Sequence, residues 1–335
     1  MEYRTLGRTG VQVSSLCLGT MSFGGDADEA TAAAMFNRCR EVGINFFDCA
    51  NTYNRGRAEE ILGRLIAKAG CREEVIITSK VCFPMGPDVN ARGASRRHIM
   101  RQVEGSLKRL GTDWIDLYFI HGQDPKTPVD ETLRALDDLV HQGKILYAGV
   151  SNWAAWQIAR SLGISECRNL VRFECIQPMY NLVKRQAEVE ILPLAQAEQL
   201  GVITYSPLGG GLLSGKYGVE RRPEEGRLTT NERYRARYGD PLYFEVAERF
   251  TAYAAAHGYH PATLAVAWVK AHPAVTAPII GARNLEQLEP SLKAAELNLT
   301  PEMRAEISAL APEPPPATDR SEEKVGMGPR GALPR

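Results

Sequence analysis

Residues 113–124 read DWIDLYFIHGQD, and the inner stretch WIDLYFIH (114–121) decides the fold class. Its apolar residues run on without strict alternation and include several aromatic and β-branched types. A strand buried on both faces looks like this, whereas a sheet with one wet face alternates apolar and polar residues. Helical stretches flank the run, Arg96–Leu110 before it and Val129–His141 after it. Strand and helix in alternation point to a parallel sheet with crossover helices.

The same unit recurs in both directions. Similar runs are SSLCLG (14–19), NFFDCA (45–50), EVIITSKV (74–81), ILYAGVS (145–151), FECIQ (173–177), VITYSP (202–207) and VTAPIIG (275–281). Helical stretches Glu29–Val42, Ala58–Lys68 and Ala187–Gln199 lie among them. The expected strands start near residues 15, 45, 75, 114, 145, 172, 201 and 275. Most are about 30 residues apart, the length of one βα unit. Eight units with right-handed crossovers favour a closed α/β architecture, the (β/α)₈ TIM barrel, over a doubly wound sheet.

The reading therefore places residues 1–310 in one barrel domain. The last step, from residue 201 to 275, is too long for one unit. It holds helical stretches Leu242–His257 and Pro261–Ala271 behind a Gly/Arg-rich loop, Leu208–Asp240. A loop of that length inside a compact domain is functional or disordered. At the start, YRTLGRTGVQVSSL (3–16) reads as a β-hairpin capping the lower mouth. At the end, residues 311–335 form a Pro-rich polar tail expected to be disordered.

Lys+Arg and Asp+Glu number 40 each. A zero net charge argues against nucleic acid or an anionic membrane as the main partner, since both call for basic excess. No apolar run is long enough to span a bilayer, and MEYRTLGRTG lacks a signal-peptide core. The seven cysteines form no CxxC pair. Cys17, Cys49, Cys82 and Cys175 sit in apolar runs, and buried reduced thiols in a cytoplasmic protein are expected. Nothing in the sequence sets an oligomeric state.

In such barrels the chemistry lies at the C-terminal strand ends. Here the second strand ends in Asp48, with Tyr53 in the following loop, the third ends in Lys80, and the fourth in His121. A phenol's usual pKa near 10 is too high for ready proton release at neutral pH. A neighbouring ammonium favours phenolate and lowers that value, and a carboxylate keeps the ammonium charged and in place. An imidazole can hydrogen-bond a substrate oxygen. Together these groups make a carbonyl-reduction site.

LGTMSFG (18–24), NFFDCANTY (45–53), ITSK (77–80), GVSNW (149–153), QPMYN (177–181), ITYSPLGGGLLSGKY (203–217) and IIGARNLEQL (279–288) join DWIDLYFIHGQD in order. With these motifs the chain resembles the aldo-keto reductases over nearly its whole length, to about residue 310. The resemblance implies a barrel that binds NADP(H) extended, without a Rossmann fold, and makes Asp48, Tyr53, Lys80 and His121 the catalytic set. It places Gly19, Thr20 and Met21 on the nicotinamide ribose side, together with Asp48. Ser151, Asn152 and Gln177 would bond the carboxamide, and Tyr205 would stack on the nicotinamide. Ser206, Pro207, Leu208, Gly209 and Gly211 would wrap the pyrophosphate, with Lys216 and Arg227 adding positive charge. Gly281, Ala282, Arg283 and Gln287 would surround the 2′-phosphate and adenine.

The resemblance further implies a small-molecule carbonyl substrate, in a pocket shaped by Phe23, Pro84, Gly122 and Trp153 besides Tyr53 and His121. Pro290 and Ser291 depart from the family pattern, which often has an acidic residue and Asn there. Gly122 replaces a residue that is often bulky and is expected to leave room beside the carbonyl. The branch also resembles β subunits of voltage-gated potassium channels, including the SPLxxGxxSGKY loop, so an NADP(H)-binding auxiliary subunit with little turnover is the alternative.

Three other readings are weaker. GGLLSGK (210–216) fits GxxxxGK, but Tyr217 stands where a phosphate-binding loop needs Ser or Thr. No GxGxxG is present. The six histidines are scattered, so no metal is expected.

Overall fold

The computed structural model describes residues 1–320. Strands β1 (Tyr3–Thr5) and β2 (Gln12–Ser14) pair antiparallel, and eight parallel strands close into a barrel. These are β3 (Cys17–Gly19), β4 (Phe46–Asp48), β5 (Ile76–Val81), β6 (Ile115–Ile120), β7 (Ile145–Ser151), β8 (Phe173–Gln177), β9 (Gly201–Thr204) and β10 (Ala277–Ile280). β10 pairs with both β3 and β9, which completes the ring. The eight expected strands all form, as a (β/α)₈ TIM barrel.

Helices α1 (Glu29–Glu41), α2 (Arg57–Ala69), α3 (Arg96–Leu110), α4 (Val129–His141), α5 (Ala155–Arg168) and α6 (Ile191–Ala197) follow successive strands. Sequence chemistry marks their ends. Asp28 caps α1 by accepting from Thr31 N–H, and Ser95 caps α3 by accepting from His98 N–H. Gly70 and Gly111 end α2 and α3 in the left-handed conformation. The stretch expected as one helix over Ala187–Gln199 is split into a 3₁₀ turn, Gln186–Glu188, and α6.

The segment Leu208–Asp240 is not a bare loop. It forms a 3₁₀ turn (Gly209–Ser214) and two short helices, α7 (Arg227–Thr230) and α8 (Glu232–Tyr238). Asn231 caps α8 by accepting from Tyr234 N–H, and Tyr238 anchors it in the core. Then come α9 (Pro241–Ala256) and α10 (Pro261–Lys270), each with Pro at its first position, and after β10 α11 (Leu285–Leu292) and α12 (Pro301–Ser308).

One apolar layer lies between barrel and helices, and a second fills the barrel. Leu6 and Val13 of the hairpin join Cys17, Phe46, Leu117, Phe119, Cys175 and Ile203 in that inner layer. Gly7 allows this plug: a Cβ there would lie 2.7 Å from Gly201 N and 2.8 Å from Glu174 O. The hairpin thus closes the lower mouth, as the sequence suggests.

All seven cysteines are free; six are buried and Cys167 is exposed, so burial does not extend to every thiol. Among the described residues no helix is long and apolar enough to cross a membrane. Of the expected tail, residues 311–320 form no helix or strand, and residues 321–335 lie outside the described residues.

Candidate active site

The barrel brings four side chains to one mouth because their strands are neighbours in register. Asp48 sits opposite Gly19 and Thr78, and Lys80 sits opposite Phe119. His121 follows β6 directly, with its N–H donating to Val81 O at 2.8 Å. Tyr53 opens a tight turn in which Asn54 (φ 48°) and Arg55 (φ 57°) are left-handed, a conformation that costs energy in non-glycine residues. Asn54 Nδ2 donates to Met21 O and Phe23 O, at 2.9 and 2.7 Å, tying this turn to the loop after β3. That bracing sets the phenol over the barrel axis.

Lys80 is completely buried, and its Nζ donates to both Asp48 oxygens at 2.7 Å, to Cys49 O at 2.7 Å and to Tyr53 Oη at 3.2 Å. Asp48 Oδ1 also accepts from Thr78 Oγ1 and Gln177 Nε2, at 2.7 and 2.8 Å. A buried ion pair needs such supporting bonds to offset desolvation. The Tyr53 and His121 rings meet edge to face, 5.9 Å apart. His121 Nδ1 is buried without a partner.

Electrostatics of the mouth differ from the simple expectation at one point. Burial pushes the Tyr53 phenol up to about 12; the Lys80 ammonium pulls the other way without winning. Burial alone opposes the charge on Lys80, but the adjacent Asp48 carboxylate and Tyr53 oxygen outweigh it and hold its pKa above the usual lysine range. Burial, then Lys80 and Arg233, holds His121 well below the usual imidazole range, so the ring is neutral at neutral pH.

A cavity of about 840 Å³ opens above this set. Gly19, Met21, Ser151, Asn152, Gln177, Tyr205, Ser206, Pro207, Leu208, Gly211, Lys216, Arg227, Gly281, Ala282, Arg283 and Gln287 all line it. Thr20 and Gly209 lie behind the wall. Thr20 Oγ1 donates to Asp48 O at 3.0 Å, and Gly209 packs near Tyr238 and Leu212. Asn152 links the rim, donating to His121 O (2.9 Å) and accepting from Tyr205 Oη (2.7 Å). Arg283 Nε lies 3.3 Å from Asp26 Oδ2.

Of the residues expected to shape the substrate pocket, Tyr53 and His121 line the cavity, and the others are placed differently. Phe23 is fully buried and Trp153 nearly so, the latter packed edge-on against Phe173. Neither reaches the cavity, and Pro84 is exposed away from it. Phe83 takes the place instead, its ring 4.6 Å from that of His121. It also fills the space left by Gly122, where a Cβ would meet the Phe83 ring at 3.3 Å. Sequence reading missed Arg233, Tyr234 and Arg237 on α8, all on the cavity wall. The i, i+4 spacing of the two arginines was the available signal. Pro290 and Ser291, the two departures from the family pattern, also line the cavity, and Ser291 Oγ is buried without a partner among the described residues.

Among the described residues no group of three or more His, Cys, Asp or Glu side chains is placed to hold a metal ion. Residues 15–312 match the Aldo/keto reductase family. The oxidoreductase YrpG of Bacillus subtilis is 41% identical over 328 residues, which span 94% of this chain and 97% of that protein. A probable voltage-gated potassium channel subunit beta of Oryza sativa subsp. japonica is 36% identical, covering 95% and 99%. Protein tas of Escherichia coli is 33% identical, covering 92% and 97%. The barrel, the hairpin and these full-length likenesses agree: the chain belongs to the aldo/keto reductase family of oxidoreductases.

Proposed function

We propose that this protein, a cytoplasmic enzyme whose residues 1–310 form one barrel domain, reduces an aldehyde or ketone to the alcohol with NADPH. Tyr53 is the proton donor. The observation that carries this reading is the Lys80 ammonium held between the Asp48 carboxylate and the Tyr53 hydroxyl beneath an open cavity.

Lys80 occupies the lone-pair side of Tyr53 Oη and so aims the phenol hydrogen at the cavity, where a carbonyl oxygen can accept it. As charge grows on that oxygen, the ammonium stabilises the phenolate left behind. Neutral His121 offers its ring to the same oxygen, and Phe83 shields that side from water. Asp48, fixed by Thr78 and Gln177, keeps Lys80 charged. The wall suits the cofactor: Ser151, Asn152 and Gln177 present amide and hydroxyl groups for a carboxamide, and Tyr205 presents a ring face. Lys216, Arg227 and Arg283 offer cationic groups on the same wall for its phosphates, and the Ser291 hydroxyl there has no partner among the described residues. When bound, NADPH supplies the hydride.

A second reading follows from the relatives named as potassium channel β subunits: an NADP(H)-binding auxiliary subunit with little turnover. A panel of aldehydes and ketones, read by NADPH oxidation, separates the two. Reduction of panel members by wild type, lowered about 10²- to 10⁴-fold in Tyr53→Phe, is expected of a general acid. Wild-type rates in Tyr53→Phe would sink the proton-donor assignment, and tight NADPH binding without turnover favours the auxiliary subunit.

A further inference from the structure

Helix α8 stands over the mouth and carries two guanidinium groups that the reaction proposed above leaves unused. Arg233 and Arg237 are one turn apart, and both line the cavity. Some exposed arginines of this protein hold carboxylates, as Arg38 does with Glu289 and Arg64 with Glu29. Arg233 and Arg237 have no carboxylate partner among the described residues. Arg237 lies over two rings instead, its Cζ 6.0 Å from the Tyr205 centroid and 5.7 Å from that of Tyr234.

Their position is at the reacting end. Tyr205, the ring beneath Arg237, donates to Asn152, and Asn152 donates to the His121 carbonyl. Arg233 and His121 line the same cavity. Gly210 lets the arm sit this close, since a Cβ there would lie 2.7 Å from the Tyr234 ring.

The charges on the wall are unequal. Lys216, Arg227 and Arg283 are taken up by cofactor phosphates in the reading above, and Asp48 is neutralised by Lys80. Glu225 and Glu286 also line the cavity, but neither pairs with Arg233 or Arg237, which remain as two cations without a carboxylate partner among the described residues. Unpaired guanidinium groups facing a low-dielectric cleft focus a positive field and attract anions. Their planar forks match an oxyanion in bidentate geometry.

We propose that Arg233 and Arg237 select a carbonyl substrate that carries an anionic oxygen group, a carboxylate or a phosphate, at the end away from its reacting carbon. This inference rests on the reductase reading. The arm grips the anionic end while the carbonyl lies under Tyr53 and His121, and a cationic substrate is repelled.

The test compares 4-carboxybenzaldehyde with 4-methylbenzaldehyde, and glyceraldehyde 3-phosphate with glyceraldehyde, under saturating NADPH. Wild type is expected to favour the charged member of at least one pair, and the pair with the larger ratio identifies the group. Arg233→Gln and Arg237→Gln should each cut that ratio at least about tenfold, the lower end of one charge-assisted bond, chiefly through KM. Arg235→Gln is the control; that side chain is exposed on the same helix and bonds only the Thr229 carbonyl, and its ratio should stay put. An unchanged ratio in Arg233→Gln and Arg237→Gln overturns the proposal. So does an NADPH Kd weakened by the same factor, which would give these arginines to the cofactor.

Calorimetry with 4-carboxybenzyl and 4-methylbenzyl alcohol on the NADP⁺ complex needs no turnover. Preference for the carboxylate, lost in the variants, supports the arm's role even if no carbonyl is reduced, an outcome that would overturn the reductase reading alone. Equal affinities for the two alcohols, together with no preference for glycerol 3-phosphate over glycerol, overturn the arm's role alone.

Discussion

Lys80 Nζ lies 3.2 Å from Tyr53 Oη, and the ammonium is the strongest influence holding the buried phenol down. Lys80→Met removes it, so the Tyr53 pKa rises further above about 12. An acid catalyst works while protonated, so the alkaline limb of the kcat/KM profile should move to higher pH as the rate falls. The unpaired Asp48 carboxylate should cost about 3–5 kcal/mol of stability. A slower enzyme with an unmoved alkaline limb would show that Lys80 acts through structure only.

Arg283 shares its guanidinium with Asp26 across half-exposed side chains, a geometry of little intrinsic worth in water. Asp26→Asn frees the guanidinium for the cofactor and should tighten NADPH binding up to about fivefold. Arg283→Ala should weaken NADPH binding about 10- to 100-fold, with little effect on NADH. Fluorescence quenching gives all five constants. Equal wild-type affinities for the two cofactors would remove the 2′-phosphate assignment.

His272 packs edge-on against Tyr180, and burial, then the Arg304 charge, lowers its pKa to about 4. The folded pKa is below the unfolded value of about 6.5. Its contribution to stability is therefore present above about 6.5 and is lost as pH falls towards 4. His98 and His121 are depressed as well, so His272→Gln should flatten part of the fall in Tm over this window. An unchanged slope of Tm against pH would count against a buried, neutral His272.

Gly63 of α2 faces the end of α3, where a Cβ would lie 2.3 Å from Leu110 O. Backbone cannot swing aside as a side chain can, so Gly63→Ala should destabilise by about 1–3 kcal/mol despite its better helix propensity. Gly163 of α5 is the counterpart: it has nothing within 4 Å, and Gly163→Ala should stabilise by about 0.5–1 kcal/mol. Urea denaturation of both variants measures the difference, and equal effects would refute the close approach.

The barrel was legible because its strands are buried on both faces: runs such as WIDLYFIH carry the pattern within themselves, and all eight begin within two residues of the expected positions. The residues at the mouth were legible because strand ends are fixed by those runs. What failed was direction. Phe23 and Trp153 stand beside the mouth in sequence, but position along the chain does not say which aromatic turns into the core. Helices α7 and α8 are too short for a clear periodic signal, so a helical arm looked like a Gly/Arg-rich loop. The phenol pKa was misjudged because the sequence shows a neighbouring lysine and not the depth of burial.

The hairpin plug has a consequence for how the protein responds to salt. With Leu6 and Val13 packed into the barrel's lower end, mobile ions approach Lys80 and Asp48 only from the mouth, and both residues are shielded there too. At physiological ionic strength charges are screened over ~8 Å in water, and buried pairs far less. The arm arginines stand at the open mouth, Arg233 exposed and Arg237 half-buried. Added salt should therefore raise KM for a charged ligand while the chemical step, set over a dry floor, goes on at nearly the same rate.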